Sequence, residues 1–274
     1  MTEDLHTIIN KLDESFNEKE LLKYDLTFES GDNTFGYSIL DVTKNKFIGL
    51  GFYRNSISGV MNSLSWLNGP FHSVKGIIAN SRFTLIPEAL YLEDEKGNYF
   101  NFVHERDSGE VVFSDHLEHL GIYSVYSISA HCRKEIGLFF SQAILSHIST
   151  VLISNIWMSV KNMSGRKAFL NLRDAQFDLL VFDGNQLKYC NVFHYLTVED
   201  IAYYLIFAFE QLNLNPEEVS LSLMGSVDKF SPVYDLLFRY IRNIEFVGRN
   251  EGLNYSYLFK DIPEHSYFTL LNPS

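Results

Sequence analysis

Histidines, a cysteine and carboxylates crowd the middle of the chain, as His104-Glu105, Asp115-His116, His119 and His131-Cys132. Imidazole, thiolate and carboxylate are the donors of a zinc site, but such a site needs its ligands in closely spaced pairs. His116 and His119 form one close pair, and no second pair stands at a recognised ligand spacing. The expectation is solvated or hydrogen-bonded histidines rather than a metal centre. Gly49-Leu50-Gly51 has the opening of a dinucleotide-binding loop, yet it sits inside a strand and lacks both the third glycine and an immediate helix. Structural glycines in a twisted strand explain it better. Cys132 and Cys190 give neither a disulfide framework nor a zinc spacing and read as two semi-buried thiols. Spacing alone defends no Ser-His-Asp or Cys-His nucleophile.

The 274-residue chain carries 34 Asp and Glu against 22 Lys and Arg, a formal net charge of -12. Phosphate backbones are gripped by clustered Lys and Arg, so general nucleic-acid binding is not expected. Hydrophobic residues make up 46% of the chain and charged ones 20%, proportions that can pay for a packed core and argue against disorder. With 23 Phe and 16 Tyr, that core is built from large flat side chains. The longest semi-apolar stretch, residues 144–160, includes His147, Ser149 and Asn155 and fails as a transmembrane segment. The start, Met1-Thr2-Glu3-Asp4, is acidic where a signal peptide is basic, which leads to the expectation of a cytoplasmic protein.

The elements that must position these residues follow from periodicity. Leu5, Ile8, Ile9 and Leu12 stand at helical spacing behind the acids Glu3 and Asp4, which predicts an amphipathic helix over residues 2–14. Residues 24–30, 35–42 and 46–53 alternate as a three-stranded meander, and a helix over 58–67 leads to a strand at 74–79. Residues 93–116 read as a charged insertion with a hairpin, 99–103 pairing with 110–113 across Asp107-Ser108-Gly109. An apolar alternation resumes at 123–129, followed by helices over 132–146 and 149–161. A second meander follows at 168–172, 177–182 and 186–193, the last two strands joined by Asp183-Gly184-Asn185. Thr197-Val198-Glu199-Asp200 reads as a capping box opening a helix that Asn215-Pro216 stops. A strand at 219–224, a helix at 232–242, a strand at 245–247 and an aromatic tail at 255–271, which docks on the body, complete the chain.

These elements describe one unit made twice. Superposing Phe35 on Phe177 also brings Asp32 onto Asp174 and Asp41 onto Asp183. A slightly larger offset brings Val74 onto Val219, Ser81 onto Ser226 and Pro87 onto Pro232. Repeated order of elements, more than these identities, argues for duplication. The boundary is placed within the central helices, giving lobes at 1–147 and 148–274, the first with the N-terminal helix and the insertion near 93–116, the second with the C-terminal tail.

A β-β-β-α-β-α-β unit occurring twice resembles the actin-like ATPase fold shared by actin, sugar kinases, heat-shock chaperone ATPases and the actin-like proteins of pilus and secretion systems. The whole chain, including its tail Ile262-Pro263-Glu264-His265-Ser266-Tyr267-Phe268-Thr269-Leu270-Leu271, is similar to a Bacteroidetes family of unknown function with that fold. The resemblance implies an α/β protein with mixed α+β sheets, a duplicated ribonuclease H-like fold in which two lobes flank a cleft. It also implies ATP and magnesium as cofactors, with phosphates held by the turn between the first two strands of each lobe.

On that resemblance the nucleotide-binding candidates are Glu29, Gly31 and Thr34 in the first turn, Asn171, Arg173, Asp174 and Asp178 in the second, and Gly225 and Ser226 in the adenosine turn. Glycine is needed wherever phosphate oxygens must reach backbone amides. The first turn, Glu29-Ser30-Gly31-Asp32-Asn33-Thr34, keeps an acid, a glycine and a hydroxyl. The second has no glycine, and Asn171 replaces the carboxylate that would position magnesium through its waters. Met224-Gly225-Ser226-Val227 keeps one glycine of the usual run. These departures lead to the expectation of a degenerate, non-catalytic interaction scaffold with protein partners, no assigned catalytic residue and no firm cofactor. The alternative is a nucleotide-binding ATPase with weak hydrolysis. A ribonuclease-like metal-dependent nuclease using Glu29, Asp41, Asp174 and Asp178 is a third reading, which net acidity and the missing basic track oppose.

Overall fold

Strand alternation dominates the first half of the computed structural model, which describes residues 6–272. Thr7–Leu12 forms β1, Tyr24–Ser30 β2, Phe35–Asp41 β3 and Lys46–Tyr53 β4. The helix expected over 2–14 is corrected by β1; Leu5, Glu3 and Asp4 lie outside the described residues. Ile8, Ile9 and Leu12 do fit a helical face, but β4 offers an edge for antiparallel pairing, with Leu12 opposite Gly49. That glycine leaves the space the fold needs, since a Cβ there would stand 2.8 Å from Ile39 Cδ1 and 3.1 Å from Leu12 Cδ1. Gly49 is a packing glycine.

Ile57–Met61 forms α1, much shorter than the helix expected over 58–67, and a 3-10 turn at Ser65–Asn68 follows it. Ser73–Ile78, β5, then lies parallel to β2. The insertion is also corrected. Phe83–Pro87 forms β6, Lys96–Val103 the helix α2, Val111–Leu117 β7 and Ile122–Ile128 β8. The expected 99–103 strand is helical because acids at Glu93, Asp94 and Glu95 precede it and Phe100 turns into a small core with Val112 and Val125. β7 pairs with β8 instead, in a three-stranded sheet ordered β6-β8-β7.

Ala130–Phe139 forms α3, Ile144–His147 β9 and Ile148–Val160 α4. The first of the two central helices therefore ends early, because residues 144–147 are claimed by β5 as a parallel neighbour. Arg166–Arg173 forms β10, Gln176–Asp183 β11 and Gln186–His194 β12. Val198–Gln211 forms α5, opened by the Thr197–Asp200 capping box, and Ser220–Gly225 forms β13. Pro232–Leu237 is α6, Asn243–Phe246 β14, Asn254–Tyr255 β15 and Phe268–Leu271 α7.

The described chain packs as two units. One holds residues up to Val151 with Asn250–Asp261 and the segment beginning at Thr269; the other holds Leu152–Arg249 with Ile262–Phe268. The tail is thus divided between them. In the first unit the main sheet runs β1-β4-β3-β2-β5-β9, with β15 also on β4; in the second it runs β12-β11-β10-β13-β14. Strands β4-β3-β2-β5-β9 and β12-β11-β10-β13-β14 are the same order: an antiparallel meander continued by two parallel strands. In the second unit, Ile201, Leu205, Ala208 and Phe209 of α5 close over Leu170, Leu179 and Leu221 of the sheet.

A buried carboxylate ties the tail into the first unit. Asp13 accepts hydrogen bonds from Ser15, from Lys46 Nζ at 2.9 Å and from Ser256 Oγ at 2.7 Å. Burial opposes its ionisation, but the bonds from Ser256, Ser15 and Lys46 outweigh that and hold its pKa well below the usual carboxylate range. A depressed folded-state pKa gives stability that is full above the unfolded value near 4 and is lost as pH falls. Asp13→Asn should therefore cost about 2 kcal/mol at neutral pH. Urea unfolding across pH is expected to show the gap between the two proteins closing below about pH 4.

Candidate functional site

The two candidate turns occupy equivalent places in their sheets. In the first unit β2 and β3 pair with Ser30 opposite Phe35 and Glu29 opposite Gly36; in the second β10 and β11 pair with Leu172 opposite Phe177 and Asn171 opposite Asp178. The same cross-strand position carries one carboxylate in each unit, but on opposite strands. Glu29 stands on the first strand of its pair, and Asp178 on the second.

In the first turn the amide of Gly31 donates to the Thr34 carbonyl at 2.9 Å. The Thr34 hydroxyl leans over Gly31, so a Cβ there would meet Thr34 Oγ1 at 2.4 Å. Thr34 fills the space that glycine leaves. Glu29 is buried, and its carboxylate accepts a hydrogen bond from the Thr269 hydroxyl of α7. Ser38 Oγ holds the same helix by donating to the Leu270 carbonyl at 2.6 Å.

The second turn is closed more firmly. Arg173 takes the position equivalent to Gly31, and its guanidinium grips Asp178 from two nitrogens, Nε to Oδ2 at 2.9 Å and Nη2 to Oδ1 at 2.8 Å. Asn171 Nδ2 adds a third bond to Oδ2 at 2.8 Å. Asp178 is 2% exposed. Removing a carboxylate from water costs several kcal/mol unless a well-aligned cation and donors compensate, and a bidentate arginine is the strongest such partner. Asp174 is exposed in the turn. Ala175 beside it takes φ +57, a left-handed conformation that a glycine would adopt without strain. Tyr195 braces both sides, its amide donating to Ala175 at 3.1 Å and its hydroxyl to the Arg173 carbonyl at 2.8 Å.

Gly225 ends β13 and Ser226 follows it. Gly225 has φ +84, and a Cβ there would lie 2.2 Å from the Leu172 carbonyl oxygen. Backbone packing alone demands this glycine. The Ser226 amide donates to the Leu172 carbonyl at 2.8 Å, and the Gly225 amide to the His265 carbonyl at 2.9 Å. His265 also bonds the Val227 carbonyl through Nε2, and its burial lowers its pKa.

Fitting ATP and magnesium to these turns fails on the residues present. The carboxylate of the first turn is engaged by Thr269, and the cation and carboxylate of the second are engaged with each other. Amides of the adenosine turn are spent on Leu172 and His265. Sequence reasoning missed Thr269, His265 and Tyr195, which reach these turns from distant parts of the chain. The Arg173–Asp178 pair did have a signal: a two-residue turn puts Asn171 opposite Asp178 and Arg173 on the same face.

Within the first unit the two carboxylates of the nuclease reading, Glu29 and Asp41, stand apart. Asp41 pairs with Tyr24, five positions along the sheet from the Glu29–Gly36 pair, roughly 17 Å away. It caps its own turn through Thr43, whose hydroxyl donates at 2.6 Å. Among the described residues, no group of three or more His, Cys, Asp and Glu could hold a metal ion. Asp115 accepts from the His147 amide, Thr150 and Tyr126; His104 bonds the Phe83 carbonyl; His116 stacks on Tyr123; His131 lies 3.5 Å from Glu135. Cys132 and Cys190 are both free, and burial raises both thiol pKa values.

A buried ion pair is tested by breaking it one side at a time. Arg173→Ala should destabilise by about 3 kcal/mol because it strands a buried carboxylate. Adding Asp178→Asn should restore part of the loss, giving a coupling above about 1 kcal/mol in a double-mutant cycle read by urea unfolding. Additive effects would mean the two side chains do not depend on each other.

Known structures place this geometry in context. A Bacteroides thetaiotaomicron VPI-5482 protein described as having an actin-like ATPase fold and unknown function superposes with a TM-score of 0.76 at 21% identity. The match covers 87% of this chain and 95% of that one. The PilM-PilN type IV pilus biogenesis complex matches with a TM-score of 0.57 at 10% identity, over 85% of this chain and 90% of the matched chain. At these identities the likeness shows the fold, which is the actin-like ATPase fold. Comparison with curated proteins gives no match. The family model for Protein of unknown function (DUF3822) matches residues 13–244, and the chain belongs to that family.

Proposed function

We propose that this protein keeps the actin-like fold without nucleotide turnover and works as a non-catalytic interaction scaffold in the cytoplasm. The observation that carries this reading is the closed Asn171–Asp178–Arg173 network, which spends the only arginine of the second turn on the chain's own carboxylate. Thr269 on Glu29 in the first turn supports it independently.

Protein partners fit this reading. A structural relative was solved as a complex in type IV pilus biogenesis, and from it we take only the class of partner, a protein. Among the described residues no helix is long and apolar enough to cross a membrane. An acidic chain of net charge -12 favours basic protein surfaces over nucleic acid.

Binding of a nucleotide would show in the folding equilibrium. A ligand present at 100 times its dissociation constant adds roughly 2.7 kcal/mol, which moves the melting temperature of a chain this size by several degrees. In millimolar ATP with magnesium, the melt is expected to stay within about one degree of the ligand-free protein. A rise of several degrees, saturating with ATP, would sink the scaffold reading.

A further inference from the structure

Helix α5 has two apolar faces and only one of them is covered. Ile201, Leu205, Ala208 and Phe209 point into the core of the second unit. On the other side Tyr203, Ile206 and Phe207 form one wall of a groove of about 370 Å3, and Leu236 and Tyr240 form the facing wall. Tyr203 is 65% exposed, Phe207 49% and Tyr240 52%. The Tyr203 and Phe207 rings stack with centroids 6.3 Å apart, so the wall is already ordered for a partner. Contiguous exposed aromatic surface of this kind marks interaction sites.

Charge identifies what would cover it. Glu199 and Glu210 stand at the two ends of the groove, eleven positions apart on one helix and so separated by roughly 16 Å. Neither carboxylate has an ion-pair or hydrogen-bond partner among the described residues. Glu199 also suits the positive end of the helix, but Glu210 lies in the last turn, where the helix dipole disfavours an acid and where Arg166 bonds the Leu212 and Asn213 carbonyls and not Glu210. The Glu210 carboxylate is thus open to an incoming cation.

We propose that this groove docks an amphipathic segment of a partner protein, with an aromatic or aliphatic anchor between Tyr203, Phe207 and Tyr240 and Lys or Arg at each end to meet Glu199 and Glu210. It rests on the scaffold reading and gives that scaffold a binding surface. The groove reads its segment by helix-in-groove recognition, with apolar anchors for affinity and end charges for register.

A random 12-residue phage-displayed peptide library panned on the full chain tests this. Enriched peptides are expected to carry a central aromatic or aliphatic residue flanked by Lys or Arg. A synthetic peptide of that consensus should lose at least about tenfold in affinity, read by fluorescence anisotropy, on Phe207→Glu. The pair Glu199→Gln and Glu210→Gln should weaken it and flatten its salt dependence. These are surface positions, and unchanged melting curves show that the variants fold. A consensus without cations, or binding indifferent to Phe207→Glu, overturns the proposal. So does concentration-dependent self-association abolished by Phe207→Glu, which would make the groove an interface between copies of this chain. The nucleotide melt reports on the scaffold reading whatever the peptide result.

Discussion

A carboxylate buried within a sheet is costly unless a cation and hydrogen-bond donors meet it, and this requirement at Asp178 organises the second unit. Arg173 meets it from two nitrogens and Asn171 from a third. Arg173 therefore points back along its own hairpin instead of outward. The turn it belongs to has an alanine at φ +57 and is braced on both sides by Tyr195. The contacts that steady this turn are the ones that keep Arg173 on the chain's own carboxylate.

The first unit reaches a similar end by different means. Its turn keeps the glycine, yet Thr34 leans into the space, and the acid is taken by Thr269 from the far end of the chain. The tail is anchored here by Asp13 through Ser256 and by Ser38 through Leu270. In the second unit another part of the tail, His265, takes the Gly225 amide and the Val227 carbonyl. The two sheets of like strand order thus hold their turn carboxylates in two different ways. Both engage the acid of the turn with side chains of the chain itself.

Much of the fold was legible because strand alternation and turn chemistry are local. The meanders at 24–53 and 166–194 follow their apolar alternation, and the Thr197–Asp200 capping box opens α5 as its residue types predict. Errors arose where tertiary pairing outvoted a local pattern. Leu12 and its neighbours pair with β4, residues 144–147 pair with β5, and Phe100 closes a small core as part of a helix. At the candidate site, the sequence showed that glycines and a carboxylate were missing from the second turn. It did not show that Arg173 is committed to Asp178, and no local signal links Thr269 to Glu29 across 240 residues.

The commitment of Glu29, Arg173 and Asp178 to partners within the chain is the structural basis of the scaffold reading. Its most direct measurement is the Arg173 side-chain Nε–H resonance of nitrogen-labelled protein, assigned through Arg173→Lys. A guanidinium held by a buried carboxylate should give a sharp, slowly exchanging signal that stays in place as ATP and magnesium are added to millimolar concentration. A signal that moves with saturation would show Arg173 leaving Asp178 for phosphate, and would contradict the account.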